Sequence, residues 1–170
     1  GERPDDEGGA ALAAQLDASA DELDRHRWTA EATRARLVAA KVRADGGMTA
    51  DVPAALRAAV DAGRASDQIL LAHVDALAAL SAGDEVGART AIDRGLRIAT
   101  GVQSALGAIE TRSHAATHGH ELVEVGARLA IGRGQPRELL TRIEATRVMA
   151  ARLPSVRPPA DAEMADRLAE

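Results

Sequence analysis

Ser66-Asp67-Gln68-Ile69-Leu70-Leu71-Ala72-His73-Val74-Asp75-Ala76-Leu77-Ala78-Ala79-Leu80-Ser81-Ala82-Gly83-Asp84 is the stretch whose pattern decides the fold. Ile69, Leu70, His73, Val74, Leu77 and Leu80 recur at intervals of one, three and four, which gathers them on one face of an α-helix. Ser66 is placed to cap the start of that helix, and Ser81-Ala82-Gly83-Asp84 reads as the turn that ends it.

The same rhythm continues on both sides. Residues 1–9 are polar, acidic and rich in glycine, and read as a flexible arm. Leu12, Leu16, Ala20 and Leu23 then mark a first helix from Ala10 to about Arg25, flanked by Asp17, Asp21 and Asp24. A second helix, from about Trp28 to Ala44, places Trp28, Ala32, Ala35, Ala39 and Val42 along a narrow seam and ends at Gly46-Gly47. A short third helix is expected over 51–62, capped by Thr49, with Pro53 in its first turn. Beyond the quoted stretch, a fifth helix carries Val86, Ile92, Leu96, Ala99, Val102 and Leu106 on or near one side. A sixth presents Leu122, Val125 and Leu129, and Gly132-Arg133-Gly134 breaks it. A seventh opens at Pro136 and carries Leu139, Leu140, Ile143, Met149 and Leu153.

Composition supports an all-α reading. The chain has 40 Ala against 38 Leu, Ile, Val, Met and Trp together, with no Phe, Tyr or Cys and a single Trp. Alanine is the best helix former, and a β-sandwich or barrel draws on the β-branched and aromatic residues that are scarce here. Without cysteine there are no disulfides, thiolate metal sites or cysteine nucleophiles in these 170 residues. No membrane span and no signal peptide is visible, so a cytoplasmic setting is expected. A net charge of -5 argues against nucleic-acid binding.

Short turns make neighbouring helices antiparallel. About seven helices are therefore expected as stacked hairpins in a right-handed superhelical array of tetratricopeptide type, with a compact helical bundle as the alternative. Residues 10–153 form this helical-repeat domain. Pro154, Pro158 and Pro159 then force an extended linker over 154–160. Residues 161–170, with Met164 and Leu168 on one face, read as the start of a helix belonging to a downstream domain. Gly119 and Gly126, seven apart within the sixth helix, predict a close helix crossing there.

The final third carries a family resemblance. Leu106-Gly107-Ala108-Ile109-Glu110-Thr111-Arg112-Ser113-His114-Ala115-Ala116-Thr117-His118-Gly119-His120-Glu121-Leu122 and Gly126-Ala127-Arg128-Leu129-Ala130 resemble the last repeat of actinobacterial CHAT-domain proteins. The continuation through Leu139, Leu140, Ile143, Glu144 and Arg147 to Leu153-Pro154-Ser155-Val156-Arg157-Pro158-Pro159-Ala160-Asp161 is similar too. In that family the linker joins degenerate tetratricopeptide-like repeats to a caspase-like peptidase domain. The resemblance implies that the chain is a repeat region whose catalytic His and Cys would lie beyond Glu170.

Few residues invite chemistry. His114 and His118, four apart on a helix, have the spacing of zinc helices but lack the glutamate of His-Glu-x-x-His, and read as polar-face or helix-contact histidines. His73 reads as a hydrogen-bonded histidine at the core edge. Gly132-Arg133-Gly134-Gln135-Pro136 follows a helix rather than a strand, so it reads as an interhelical turn and not a phosphate loop. No metal, cofactor or catalytic residue is expected. The one candidate binding feature is Arg27, Arg34 and Lys41, seven apart, which would line one side of the second helix and receive an acidic protein segment. The competing expectation is a solvated face neutralised by Asp17, Asp21 and Asp24 of helix one. The function expected is thus a non-catalytic interaction or regulatory module of a CHAT-type peptidase, binding a protein segment or the parent's own downstream domain. The rival is a helical bundle that takes a small ligand or metal near His73 and His114.

Overall fold

The quoted stretch becomes α4, Ala65–Ser81, and the other helices are arranged around it. A computed structural model describes residues 6–104 and 109–151. Among these the chain is all-helical, with α1 Asp6–Arg25, α2 Thr29–Asp45, α3 Ala54–Asp61, α5 Glu85–Ser104, α6 Ile109–Gly132 and α7 Pro136–Ala151, and no strand. The linker over 154–160 and the residues 161–170 lie outside the described residues.

α4 is not the one-sided helix its spacing predicts. All of Ile69, Leu70, Leu71, Ala72, His73 and Val74 are buried. Ile69 and Ala76 join Ile92, Leu96, Ala99, Leu122 and Val125 from α5 and α6 in one cluster. Leu70, Leu71 and Val74 join Leu37 and Ala40 from α2, together with Val52 and Val60, in another. Burying each such aliphatic side chain stabilises the fold by roughly 1.5–3 kcal/mol, so α4 is the spine on which both clusters depend. The principal packings run between neighbours in sequence, and α2 on α4 and α4 on α6 are the two that skip a helix. Asp75 on the flank of α4 ties in two more elements, accepting from Arg57 of α3 at 2.7 and 3.0 Å and from Arg94 of α5 at 2.6 Å. Its hydrogen bonds raise the pKa of Arg57 above the usual value.

Three turns share one chemistry. Gly47, Gly83 and Gly134 have positive φ. At each, the glycine N–H and the N–H after it reach back to the last helical carbonyls, as in Gly83 to Leu80 at 3.0 Å and Asp84 to Ala79 at 2.8 Å. The α1–α2 turn repeats this bonding without a glycine. Trp28 N–H donates to Leu23 at 2.9 Å, Arg27 N–H donates to Asp24 at 2.9 Å, and Arg27 takes φ 63. A left-handed conformation costs an arginine roughly 1 kcal/mol, so Arg27→Gly is expected to raise the unfolding free energy by about that amount, read by urea denaturation.

Several local expectations are corrected. α1 begins at Asp6, inside the stretch read as an arm, since Asp6 and Glu7 suit the positive end of a helix. Trp28 is 60% exposed and stands outside α2 as its N-cap residue, while Leu37, Ala40 and Ala44 join Ala32 and Ala39 on the buried side. Thr49 and Ser66 do not cap. α3 starts after Pro53, and α4 starts after Arg64 with Ser66 buried inside it. The α5 cap is Asp84, whose carboxylate accepts from Gly87 N–H at 2.8 Å. Val86 and Leu140 face outward, at 76% and 61% exposure. On α7 the inward position belongs to Arg142, which donates to Asp93 of α5 at 2.6 Å. Gly126 makes room for it, because a Cβ there would lie 3.3 Å from Arg142 Cδ and 3.4 Å from Ile92.

Candidate functional site

The three cations expected to form a stripe on the second helix are separated by the structure. Arg27 is in the α1–α2 turn and exposed, ahead of the helix that was to carry it. Arg34 reaches across to α4, where its guanidinium donates to Asp67 at 2.9 Å and to Ser66 Oγ at 3.4 Å. Asp67 is buried, so Arg34 is the counter-ion of a carboxylate withdrawn from water. Lys41 donates to Asp45 at 2.9 Å and lies 3.7 Å from Glu121 of α6. The acidic flank of α1 pairs instead with two other arginines of α2. Asp21 and Asp24 bind Arg36 at 2.8 and 2.6 Å, and Asp17 binds Arg43. The hydrogen bonds that Arg36 donates to Asp24 and then to Asp21 raise its pKa. These α1–α2 pairs are exposed or half-buried, so each contributes about 1 kcal/mol or less, but together they fix the register of the first hairpin.

That register opens a groove. α1 and α3 stand on either side of α2, leaving a cavity of about 500 Å³ between them. Ala40, Leu56 and Ala59 give it an apolar lining, and Asp17, Arg36 and Arg43 stand along it. Its width follows from small side chains: Ala55 and Ala59, four apart on α3, both line it and are exposed. This signal was present in the sequence as an alanine pair, but spacing within one helix does not say which helix it faces.

A second, polar cluster lies where α2, α4 and α6 meet. His73 is buried, with Nδ1 3.3 Å from Glu121 Oε2. Lys41, Asp45, Glu121, Glu124 and Arg128 line the cavity of about 160 Å³ beside it. Removal from water, and then the nearby Lys41 charge, pull the pKa of His73 below its ordinary value, against the opposing pull of Glu121 and Asp45. His73 therefore stays neutral in the folded chain at a pH where it already binds a proton in the unfolded chain. Stability linked to it is complete above the unfolded pKa of about 6.5 and is lost as pH falls toward the folded value. Urea unfolding is expected to show a larger drop between pH 7.5 and 5.5 for the native chain than for His73→Gln; equal drops would contradict this.

The cavity suits a few waters better than an organic ligand, whose sites run to roughly 300–1,000 Å³. Among the described residues no group of three or more His, Asp or Glu could hold a metal ion. The side chains of His114 and His118 lie outside the described set. The stretch Gly132-Arg133-Gly134-Gln135-Pro136 is an interhelical turn, with Arg133 paired to Glu85 at 3.0 Å and Gln135 accepting from Arg89 at 3.2 Å. No helix among the described residues is long and apolar enough to cross a membrane. Comparison with protein families, with curated proteins and with solved structures finds no match to this chain.

Proposed function

We propose that this chain is a non-catalytic module of the tetratricopeptide-like, right-handed superhelical kind, which binds a protein segment or the downstream domain of a CHAT-type peptidase. The observation that carries the reading is the open groove over α2, walled by α1 and α3, at one end of a series of helices packed neighbour on neighbour. Stacked hairpins of this sort present extended concave surfaces, and protein segments are what such surfaces take. The sequence resemblance over 106–122, 126–130 and the proline-rich stretch supplies the peptidase context. In that setting the module acts as the sensor, scaffold or restraint of the protease.

The test uses the groove without touching the core. Ala59→Arg places a long cation in the cavity from an exposed position, so its melting temperature should match the native chain. Pull-down of a CHAT-type peptidase domain by the native chain, and its loss with Ala59→Arg, are expected. Capture that survives Ala59→Arg unchanged would exclude the groove, and no capture or effect on proteolysis by the native chain would exclude the peptidase context.

A further inference from the structure

His73 sits where three helices bring their charges together. It is 3% exposed, and its Nδ1 lies 3.3 Å from Glu121 Oε2, yet the two are not hydrogen-bonded. The other carboxylate oxygen of Glu121 is 3.7 Å from Lys41 Nζ, an ion pair that joins α6 to α2. Lys41 has a second acceptor on its own helix, Asp45 at 2.9 Å. We propose that this junction is an acid-operated clasp, in which a proton taken up by His73 turns Glu121 from Lys41 to the imidazolium and loosens the C-terminal half of α2 from α6.

Geometry and charge both favour the exchange once the ring is charged. In a neutral ring with its hydrogen on Nε2, Nδ1 turns a lone pair toward the carboxylate, and a second proton replaces that lone pair with an N–H donor. A charge-assisted bond of this kind closes to about 2.7–2.9 Å, so a shift of roughly 0.5 Å completes it. The imidazolium and the Lys41 ammonium are then like charges on one carboxylate, and Lys41 falls back on Asp45. Around the cavity of about 160 Å³, Lys41 and Arg128 set two positive charges against the three negative charges of Asp45, Glu121 and Glu124. That balance of two less three, or -1, is brought to zero by one proton on His73. Burial and then Lys41 hold the ring neutral against this field, so the exchange belongs on the acid side of the usual histidine value of about 6.5. The charged side chains that α3 and α5 extend to α4, Arg57 and Arg94, are bound to Asp75. On α6, exposed His120 lies 3.5 Å from Glu124 and titrates in a similar range, so it is the necessary control. Both α2 and α6 pack along α4, and the apolar cluster of α4, α5 and α6 does not depend on the Lys41 contact. The expected opening is therefore local to α2, distinct from the loss of whole-chain stability, and it does not depend on what the groove binds.

Hydrogen exchange of the full 170-residue chain, read amide by amide by NMR and corrected for the intrinsic rate at each pH, tests this. As the His73 ring titrates below pH 7.5, protection from Leu37 to Ala44 of α2 is expected to fall roughly tenfold further than protection from Ile92 to Ala99 of α5. His73→Gln should abolish that difference and His120→Gln should keep it. Lys41→Met should show the weakened α2 protection already at pH 7.5. Equal losses in α2 and α5, a difference that persists in His73→Gln, or full α2 protection in Lys41→Met would each overturn the proposal. If His73→Gln does not fold, the native chain decides: the α2 loss must share its midpoint with the His73 ring, and a midpoint that follows His120 or neither ring overturns the clasp.

Discussion

Gly95→Val is expected to lower the unfolding free energy by about 3 kcal/mol, and the melting temperature by roughly 6–12 °C. Gly95 is buried where α5 crosses both α4 and α6. A Cβ there would lie 2.9 Å from Ala72 Cβ and collide with the Cδ1 of Leu122. The leucine can turn away, but Ala72 Cβ is fixed to the α4 backbone, so the two helices must separate and the cluster around Ile92 and Leu122 loosens. Even Gly95→Ala should destabilise, although alanine is ordinarily favoured over glycine in a helix interior by about 1 kcal/mol. Gly101→Ala, six residues farther along α5 and with no atom of the described residues within 4 Å of its added Cβ, should show that ordinary gain instead. Opposite signs for the two alanine variants in parallel urea melts are the expected signature. Matching signs would mean that the α4–α5 approach is not close.

Arg34→Met is expected to cost about 3 kcal/mol, because it leaves the Asp67 carboxylate buried without its cation. Removing both, as Arg34→Met with Asp67→Leu, should recover most of that loss, since a buried pair is often no better than apolar residues of similar volume. Arg27→Met, on an exposed turn residue, should leave the melting temperature within about 1 °C. Thermal melts of the four chains separate this from a stripe acting together, for which Arg27 and Arg34 variants would leave stability alike.

The sequence made the helical class and most helix ends legible, and the reasons are local. Glycines at 47, 83 and 134 provide left-handed turn residues, Pro136 starts α7 as its ring prefers, and the alanine excess favours helix throughout. What stayed hidden depends on which helices are neighbours. Arg34 and Asp67 are 33 positions apart, and heptad spacing shows the face that Arg34 occupies but not that α4 lies opposite. Arg142 illustrates the same limit: a charged residue takes an inward position on α7 because Gly126 on another helix clears a slot for it, while Leu140 turns outward. Ser66 has the chemistry of a cap, yet it is drawn into a hydrogen bond from α2. The groove escaped for a related reason, since Ala55 and Ala59 are unremarkable until α1 and α3 are placed on either side of α2.

The α1–α3 groove is the surface we propose for a protein segment. Amide chemical-shift mapping of the isotope-labelled chain, titrated with a CHAT-type peptidase domain, tests this most directly. Saturable shifts centred on Thr33, Ala40, Leu56 and Ala59 are predicted, with the amides around His73 unmoved. Shifts centred on the His73 cavity, or none at saturating partner, would contradict it.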